Sequence, residues 1–381
     1  MRKTVFILSF LILAFGCREP YEPEVSQESV SALVVEGYLD TEGLESELLL
    51  SRTVSIGAEA TFAPEIGAKV TLYGENGRTF SLAEKEPGVY TIAQNMPEDM
   101  EYQLEIELRT GELFESETMK PIITPEIIDA GFLQDEEGVE VFVTTQGDEN
   151  ADDFLWTFEE TWIYRPRIRV PYIYDPKISN VRDRTQAEKI DLCFKNETNP
   201  DILLETSSRF QDQVVFRKTI TEIPQGDERI MERYSILISQ KAIDSEAVQF
   251  WETLKRNTED IGSIFSPLPS QISGNIKSVG DSGIPVVGQI SMGVVKQRRI
   301  YINLTDVSPW GYLDPEFNDC AIGLEEVRSQ NYKTAFGDGS VLPARGLMEG
   351  TTIVAYYPVD RRCADCTLYA SRVKPDFWED D

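Results

Sequence analysis

The chain reads as a mainly β protein of two domains: a β-sandwich over residues 31–120 and a larger β-rich domain over 126–381 carrying one prominent amphipathic helix near 244–257. Three observations predict this. Short runs of alternating apolar and polar residues recur between turn signals. A chain of 381 residues exceeds what one compact core usually serves. Only one stretch shows a clear apolar period of 3.6 residues.

The N-terminus is set apart. Arg2 and Lys3 form a short basic region, and Val5 to Phe15 run apolar apart from Ser9. As a helix this run would be about 16 Å long, roughly half of a bilayer core, so residues 1–16 read as a secretory signal peptide and not as a span. The run ends Leu13-Ala14-Phe15-Gly16-Cys17, which resembles a bacterial lipobox and makes Cys17 the expected lipidation site. The competing reading is an ordinary cleaved leader with Cys17 incidental. Acyl chains would hold Cys17 to a bilayer by about 0.8 kcal/mol per buried methylene. Residues 17–30 then form an acidic tether, opening Arg18-Glu19-Pro20-Tyr21-Glu22-Pro23-Glu24, similar to the surface-export signal of Bacteroidota lipoproteins.

Strands follow at Ala32 to Leu39, Ser46 to Val54 and Gly67 to Tyr73. Asn76-Gly77 is expected to supply the positive φ angles of a tight hairpin, with Arg78 to Ala83 returning. Val89 to Ile92 and Tyr102 to Leu108 continue the pattern; in the latter, Tyr102, Leu104, Ile106 and Leu108 share one face. The order of these strands looks like the prealbumin-like or immunoglobulin-like modules of outer-membrane systems. Pro121 to Pro125 reads as a stiff linker. Further strands are expected at Val139 to Thr145, Phe154 to Arg169, Gln213 to Ile220, Arg229 to Gln240, Ile284 to Ser291 and Gln297 to Leu304. In the helix, Asp244 is the expected N-cap, and Ala247, Phe250, Trp251 and Leu254 make one apolar stripe that reads as core packing. Gly262 is expected to stop it. The Pro- and Gly-rich stretch Gly262 to Ile276 reads as a fixed loop, and residues 305–381 as less regular.

Composition narrows the chemistry. With 66 acidic and 36 basic residues the formal net charge is −30, which disfavours nucleic acid and anionic head groups as partners of the surface as a whole. Histidine is absent, removing the commonest general base, metal ligand and triad member. Gly280-Asp281-Ser282-Gly283 matches a serine-protease nucleophile segment but has no histidine to take the proton, and reads as a turn. Asp148, Asn150, Asp152 and Glu159 fall at calcium-loop spacings, yet Asp153 stands where the sharp turn requires glycine. Carboxylate-only hydrolysis survives composition without any positive feature. No catalytic residue, metal or cofactor is expected. Cys193, Cys320, Cys363 and Cys366 read as disulfide cysteines with three connectivities open; Cys363-Ala364-Asp365-Cys366 alone has redox-pair or zinc-site alternatives. Arg165, Arg167 and Arg169 alternate with Pro166, Ile168 and Val170, so in an extended segment they share one face. They are the candidate contact for a partner or an anionic ligand.

Taken together, the lipobox, Val35-Glu36-Gly37, the Gly67-Ala68 strand, Tyr234-Ser235-Ile236, the Phe250-Trp251 helix, Gly274-Asn275-Ile276, Asp365-Cys366 and Pro375-Asp376-Phe377-Trp378 carry a resemblance. They resemble a domain-of-unknown-function family of Bacteroidota outer-membrane lipoproteins encoded beside SusC-like TonB-dependent receptors. The resemblance implies a lipid-anchored protein on the cell surface. It would be a non-catalytic accessory subunit of an outer-membrane complex, its partner a β-barrel such as a SusC-like transporter. The alternatives are a subunit of outer-membrane biogenesis or secretion machinery, and a free-standing glycan- or peptide-binding lipoprotein.

Overall fold

The computed structural model describes residues 31–54, 63–259, 274–280, 283–312 and 315–379. Cys17, the signal peptide, the tether and Gly262 lie outside them. The first part of the chain supplies β1 (Leu33–Asp40), β2 (Ser46–Arg52), β3 (Ala63–Pro64), β4 (Lys69–Gly74), β5 (Thr79–Glu86), β6 (Val89–Ile92), β7 (Tyr102–Glu107), β8 (Leu113–Ser116) and β9 (Ile122–Ile123). The middle supplies β10 (Ile127–Gln134), β11 (Gly138–Gln146), β12 (Asp153–Tyr164), β13 (Tyr172–Asp175), β14 (Asn180–Asp183), β15 (Cys193–Thr198), β16 (Leu203–Thr206), β17 (Val214–Pro224), β18 (Arg233–Ile243) and α1 (Ser245–Glu259). The last part adds β19 (Ile276–Val279), β20 (Val286–Asn303), β21 (Val327–Arg328), α2 (Tyr332–Phe336), β22 (Val341–Glu349) and β23 (Thr352–Asp360). The protein is mainly β, as its alternating pattern predicts.

In the N-terminal sandwich, one sheet runs β20-β1-β2-β6 into the second half of β5, and the other runs from the first half of β5 through β4, β7 and β8 to β19. Leu33, Val35, Leu39, Leu48 and Leu50 of one sheet pack with Val70, Leu72, Tyr102, Leu104 and Ile106 of the other in a single core, each large side chain contributing about 1.5–3 kcal/mol by leaving water. The β4–β5 hairpin differs from a two-residue turn with two positive φ angles. Gly77 alone is left-handed at φ 80°, Gly77 N–H donates to Gly74 O at 2.9 Å and Gly74 N–H to Arg78 O at 2.8 Å. This is a three-residue connection ending in a glycine bulge, and Asn76 serves through its side chain, accepting from Arg78 N–H at 3.0 Å.

The sandwich is not confined to residues 31–120. Ile276, Ile290 and Met292 belong to its core, and β1 pairs parallel with the first half of β20 over Leu33↔Val286 to Asp40↔Gly293. Ile284 to Ser291 and Gln297 to Leu304, read as two strands, are one strand of 18 residues. Its second half pairs antiparallel with β18, from Lys241↔Val295 to Arg233↔Asn303. The stretch Pro121 to Pro125, expected as a linker, is built into the seam. Ile122 and Ile123 pair with Gly293 and Val294, and Ala242 N–H donates to Thr124 Oγ1 at 2.8 Å.

Two further layers complete the molecule. The β10-β11-β17 sheet packs on β12, β18 and β20 through Val139, Val141, Val143, Phe154, Trp156, Phe158, Tyr234 and Ile236. Residues 305–381, read as less regular, carry the β21-β23-β22 sheet, packed by Tyr332 and Phe336 of α2 against Tyr356 and Val181. The C-terminal tail folds back on β15. Phe194 N–H donates to Ser371 O at 2.7 Å, and Trp378 packs edge-on against Phe194 and Tyr301 at 5.1 and 5.9 Å.

The open side of the sandwich is laced by one side chain. Asn275 Nδ2 donates to Ile290 O at 2.7 Å and Asn275 Oδ1 accepts from Ile290 N–H at 3.0 Å, so a side chain does the work of a strand neighbour. Gly274 fits beside it because a Cβ there would lie 1.6 Å from Gly288 O. Asn275→Ala leaves the buried Ile290 N–H unpaired and its C=O with only the 3.5 Å contact from Gln289 Nε2, and an expected loss of about 1–3 kcal/mol follows. Urea unfolding measures it; a loss below about 1 kcal/mol would show that the closure carries no stability.

Candidate functional site

A trough crosses the outer face of the continuous sheet where the two modules meet. Its lining comes from six adjacent strands, β2-β1-β20-β18-β12-β15, and its volume is about 410 Å³, within the range of small-ligand sites. Alternation places its floor. Glu36 and Tyr38 of β1, Ser291 and Val295 of β20, Ser239 and Lys241 of β18, and Thr157 and Glu159 of β12 all line this face. The helix roofs one end. Asp244 Oδ1 accepts from Ala247 N–H at 2.7 Å, capping α1 as expected, and Ala247 and Trp251 pack on Tyr38, Leu155 and Ile243.

Lys241 is the central charge. Its ammonium lies 5.7 Å from the Tyr38 ring centroid and interacts with Glu36 and Glu159. Burial lowers the Lys241 pKa against the opposing pull of those two carboxylates. Burial likewise raises the pKa of Glu36 while Lys241 opposes the rise. Glu36 keeps contact with solvent, yet the trough walls strip enough of its hydration to disfavour the anion. Asp40, by contrast, is committed to the fold: Oδ2 accepts from Val295 N–H at 2.9 Å and Oδ1 from Leu44 N–H at 2.8 Å. At the rim Glu45 pairs with Lys85 at 2.8 Å. Titratable groups displaced by burial in a cleft between modules are a recognised mark of a functional site.

The arginines lie elsewhere. The strand expected from Phe154 to Arg169 ends at Tyr164, so Arg165, Arg167 and Arg169 do not form a strand face. Arg165 grips Glu232 with two bonds of 2.6 and 2.9 Å and donates to Asp191 O at 3.0 Å. Arg169 pairs with Asp191 at 2.9 Å. Both line a cleft of about 990 Å³ together with Lys189 and Arg372. Arg372 is spent on the backbone, donating to Ala187 O and Lys189 O at 2.6 and 3.1 Å. Arg167 is exposed and makes no ion pair among the described residues. Carboxylates meet Arg165 and Arg169, whereas Lys189 and Arg372 make no ion pair among the described residues, so the larger cleft keeps an excess of positive charge.

Cys363 and Cys366 do not pair with each other. Cys193 is joined to Cys366 and Cys320 to Cys363, with Cα separations of 5.8 and 5.6 Å, so one short segment ties β15 and the 320 loop to the end of β23. Asp148 Oδ1 turns into its own loop, accepting from Asn150 and Ala151 N–H at 2.7 and 3.0 Å. Gly280 and Gly283, at φ 78° and 65°, lead from β19 to β20, while Asp281 and Ser282 lie outside the described residues. No group of three or more Cys, Asp or Glu side chains among the described residues is placed to hold a metal ion, and no described helix is long and apolar enough to cross a membrane. Sequence reasoning missed Lys241 altogether and weighed Glu159 only as a calcium-loop position. The available signal was a lysine alternating with Ser239 and Ile243 on one face of the strand.

The described residues form a β-rich fold that is consistent with a generic accessory or binding role. The chain belongs to the family described as domain of unknown function DUF4249, whose model matches residues 18–299. No curated protein matches it. Among solved structures it is similar to a DUF4785 family protein from Legionella pneumophila, at 9% identity and a TM-score of 0.15, covering 54% of this chain and 49% of that one. It is also similar to a cycloalternan-degrading enzyme from Trueperella pyogenes in complex with isomaltose, at 13% identity and a TM-score of 0.14, covering 71% of this chain and 32% of that one. The chain thus spans half or less of the length of either.

Because burial raises the Glu36 pKa, its ionisation opposes folding. The cost is absent while the carboxyl is protonated and grows as pH rises through the raised value. Glu36→Gln is expected to match the native Tm at low pH and exceed it increasingly from mildly acidic to neutral pH. Parallel melting curves across pH check this; a Tm below the native one at neutral pH would mean that Glu36 is a structural ion-pair partner.

Proposed function

We propose that this protein is a lipoprotein of the outer membrane, held at Cys17 and displayed on the cell surface, that acts as a non-catalytic accessory subunit beside a β-barrel transporter of the SusC-like, TonB-dependent type. The observation that carries the reading is the trough, an open binding surface spanning two modules that share one strand. The leader ending in Leu13-Ala14-Phe15-Gly16-Cys17 supports the anchor, and residues 17–30 reach at most roughly 50 Å when extended, which keeps the body near the bilayer. Its role would be to capture a ligand or brace the barrel. The same trough suits a free-standing peptide or glycan binder, the second reading.

Affinity purification from detergent-solubilised membranes tests it. Stoichiometric recovery of a β-barrel protein is expected, and Cys17→Ser is expected to release the chain into the soluble fraction. Arg167 and Arg169, being exposed, are the arginines available to such a partner. Their joint reversal to Glu should weaken recovery while Arg165 keeps its bond to Glu232. A native protein that fractionates as wholly soluble, or that is recovered without a barrel, removes the membrane-complex reading and leaves the free-standing binder.

A further inference from the structure

We propose that the trough receives an extended basic peptide segment, a lysine or arginine side chain laying its stem along Trp251 and Leu155 and setting its cationic head among Glu36, Glu47 and Glu159. The inference rests on the reading of the protein as a binding subunit and names what the trough binds.

Charge is the first argument. Of the acids lining the trough, Asp40 is bound to backbone N–H groups and Glu45 to Lys85. Glu36 and Glu159 both interact with Lys241, and Glu159 also with Arg299, while Glu47 is exposed with no direct ion pair among the described residues. Acids therefore outnumber bases in the cavity, and the field of a chain at −30 reinforces the sign. An anionic occupant is repelled, and a neutral one gains nothing from the excess charge. The second argument is a polar group without a partner. Ser291, 8% exposed, lines the trough beside Tyr38, and its Oγ makes no hydrogen bond. A buried hydroxyl costs free energy until a ligand N–H or C=O meets it. Shape is the third. Six strands at the usual spacing place the ends of the lining about 24 Å apart, the length of about seven extended residues. The apolar wall of Leu49, Leu155, Ile243 and Trp251 suits the stem of a long cationic side chain better than a small inorganic cation.

The resident Lys241 makes the inference sharply testable, because it occupies the place of the incoming cation. Calorimetric titration of the full-length lipoprotein in neutral detergent with terminally blocked tetralysine is the experiment. Glu36→Gln with Glu159→Gln should weaken binding by about tenfold or more, whereas Glu149→Gln with Glu349→Gln, an equal loss of charge on distant exposed surface, should change it by less than about twofold. Lys241→Met should tighten binding by about fivefold, since it removes the competing ammonium. A purely structural lysine would give the opposite. Equal weakening by the two carboxylate pairs, weaker binding by Lys241→Met, or no heat at about 1 mM peptide would each overturn the proposal. The titration uses the isolated protein, so absence of a membrane partner leaves its result unchanged.

Discussion

The structure depends on one strand serving two modules. β20 enters as a parallel neighbour of β1 and leaves as an antiparallel neighbour of β18, the change falling between Gly293 and Val295. A strand rises about 3.3 Å per residue and has only two edges, so a strand that pairs this way fixes both partners to one axis. The two halves of the molecule are thereby positioned by backbone hydrogen bonds and not by a flexible connection. That rigidity is what makes a trough across the seam a surface of defined shape.

A parallel pair that stops short leaves backbone groups without partners, and the seam is where they would be exposed or buried unmet. Named side chains meet them. Asp40 takes Val295 N–H where the β1 ladder runs out. Thr124 takes Ala242 N–H, and Tyr38 donates its hydroxyl to Ala242 O at 3.1 Å. Gln240, fully buried, accepts from Trp156 Nε1 at 3.0 Å and donates to Pro125 O and Thr145 Oγ1 at 2.9 and 3.0 Å, which ties β12, β18, β11 and the chain crossing between modules. Gly293 permits this crossing, since a Cβ there would lie 2.0 Å from Ile122 O. Half-satisfied, such a network would cost more than an apolar seam; the pairing of Gln240 and Asp40 is what makes it tolerable.

Local patterning carried the fold class and much of the first sandwich. Tyr102, Leu104 and Ile106 are buried and Gln103 and Glu107 exposed, as strict alternation demands, and Asp244 caps α1. What sequence could not show was pairing at a distance. Nothing near Leu33 announces Val286 as its neighbour, and a break in polarity around Gln289 to Gln297 looked like two strands because the two halves of β20 have different partners on different faces. The arginines illustrate the same limit from the side of the site. Their alternate spacing was real, but Glu232, remote in sequence, had already claimed Arg165, and Asp191 pairs with an Arg169 that stays largely exposed. Asn275 was visible as part of a pattern and silent as to cause, since its two bonds go to a backbone 15 residues away.

The trough runs against the logic of the rest. One enclosed charge is fully met: Glu160, almost fully buried, pairs with Arg229 at 2.9 Å and accepts from the Tyr234 hydroxyl at 2.6 Å. On the trough floor, Glu36 and Lys241 each keep a pKa displaced against their charged forms, so their mutual attraction does not repay their lost hydration. The fold that pairs Glu160 so completely leaves Lys241 and Glu36 less fully compensated a few strands away. The cationic ligand proposed above would complete the electrostatics of this accessible face.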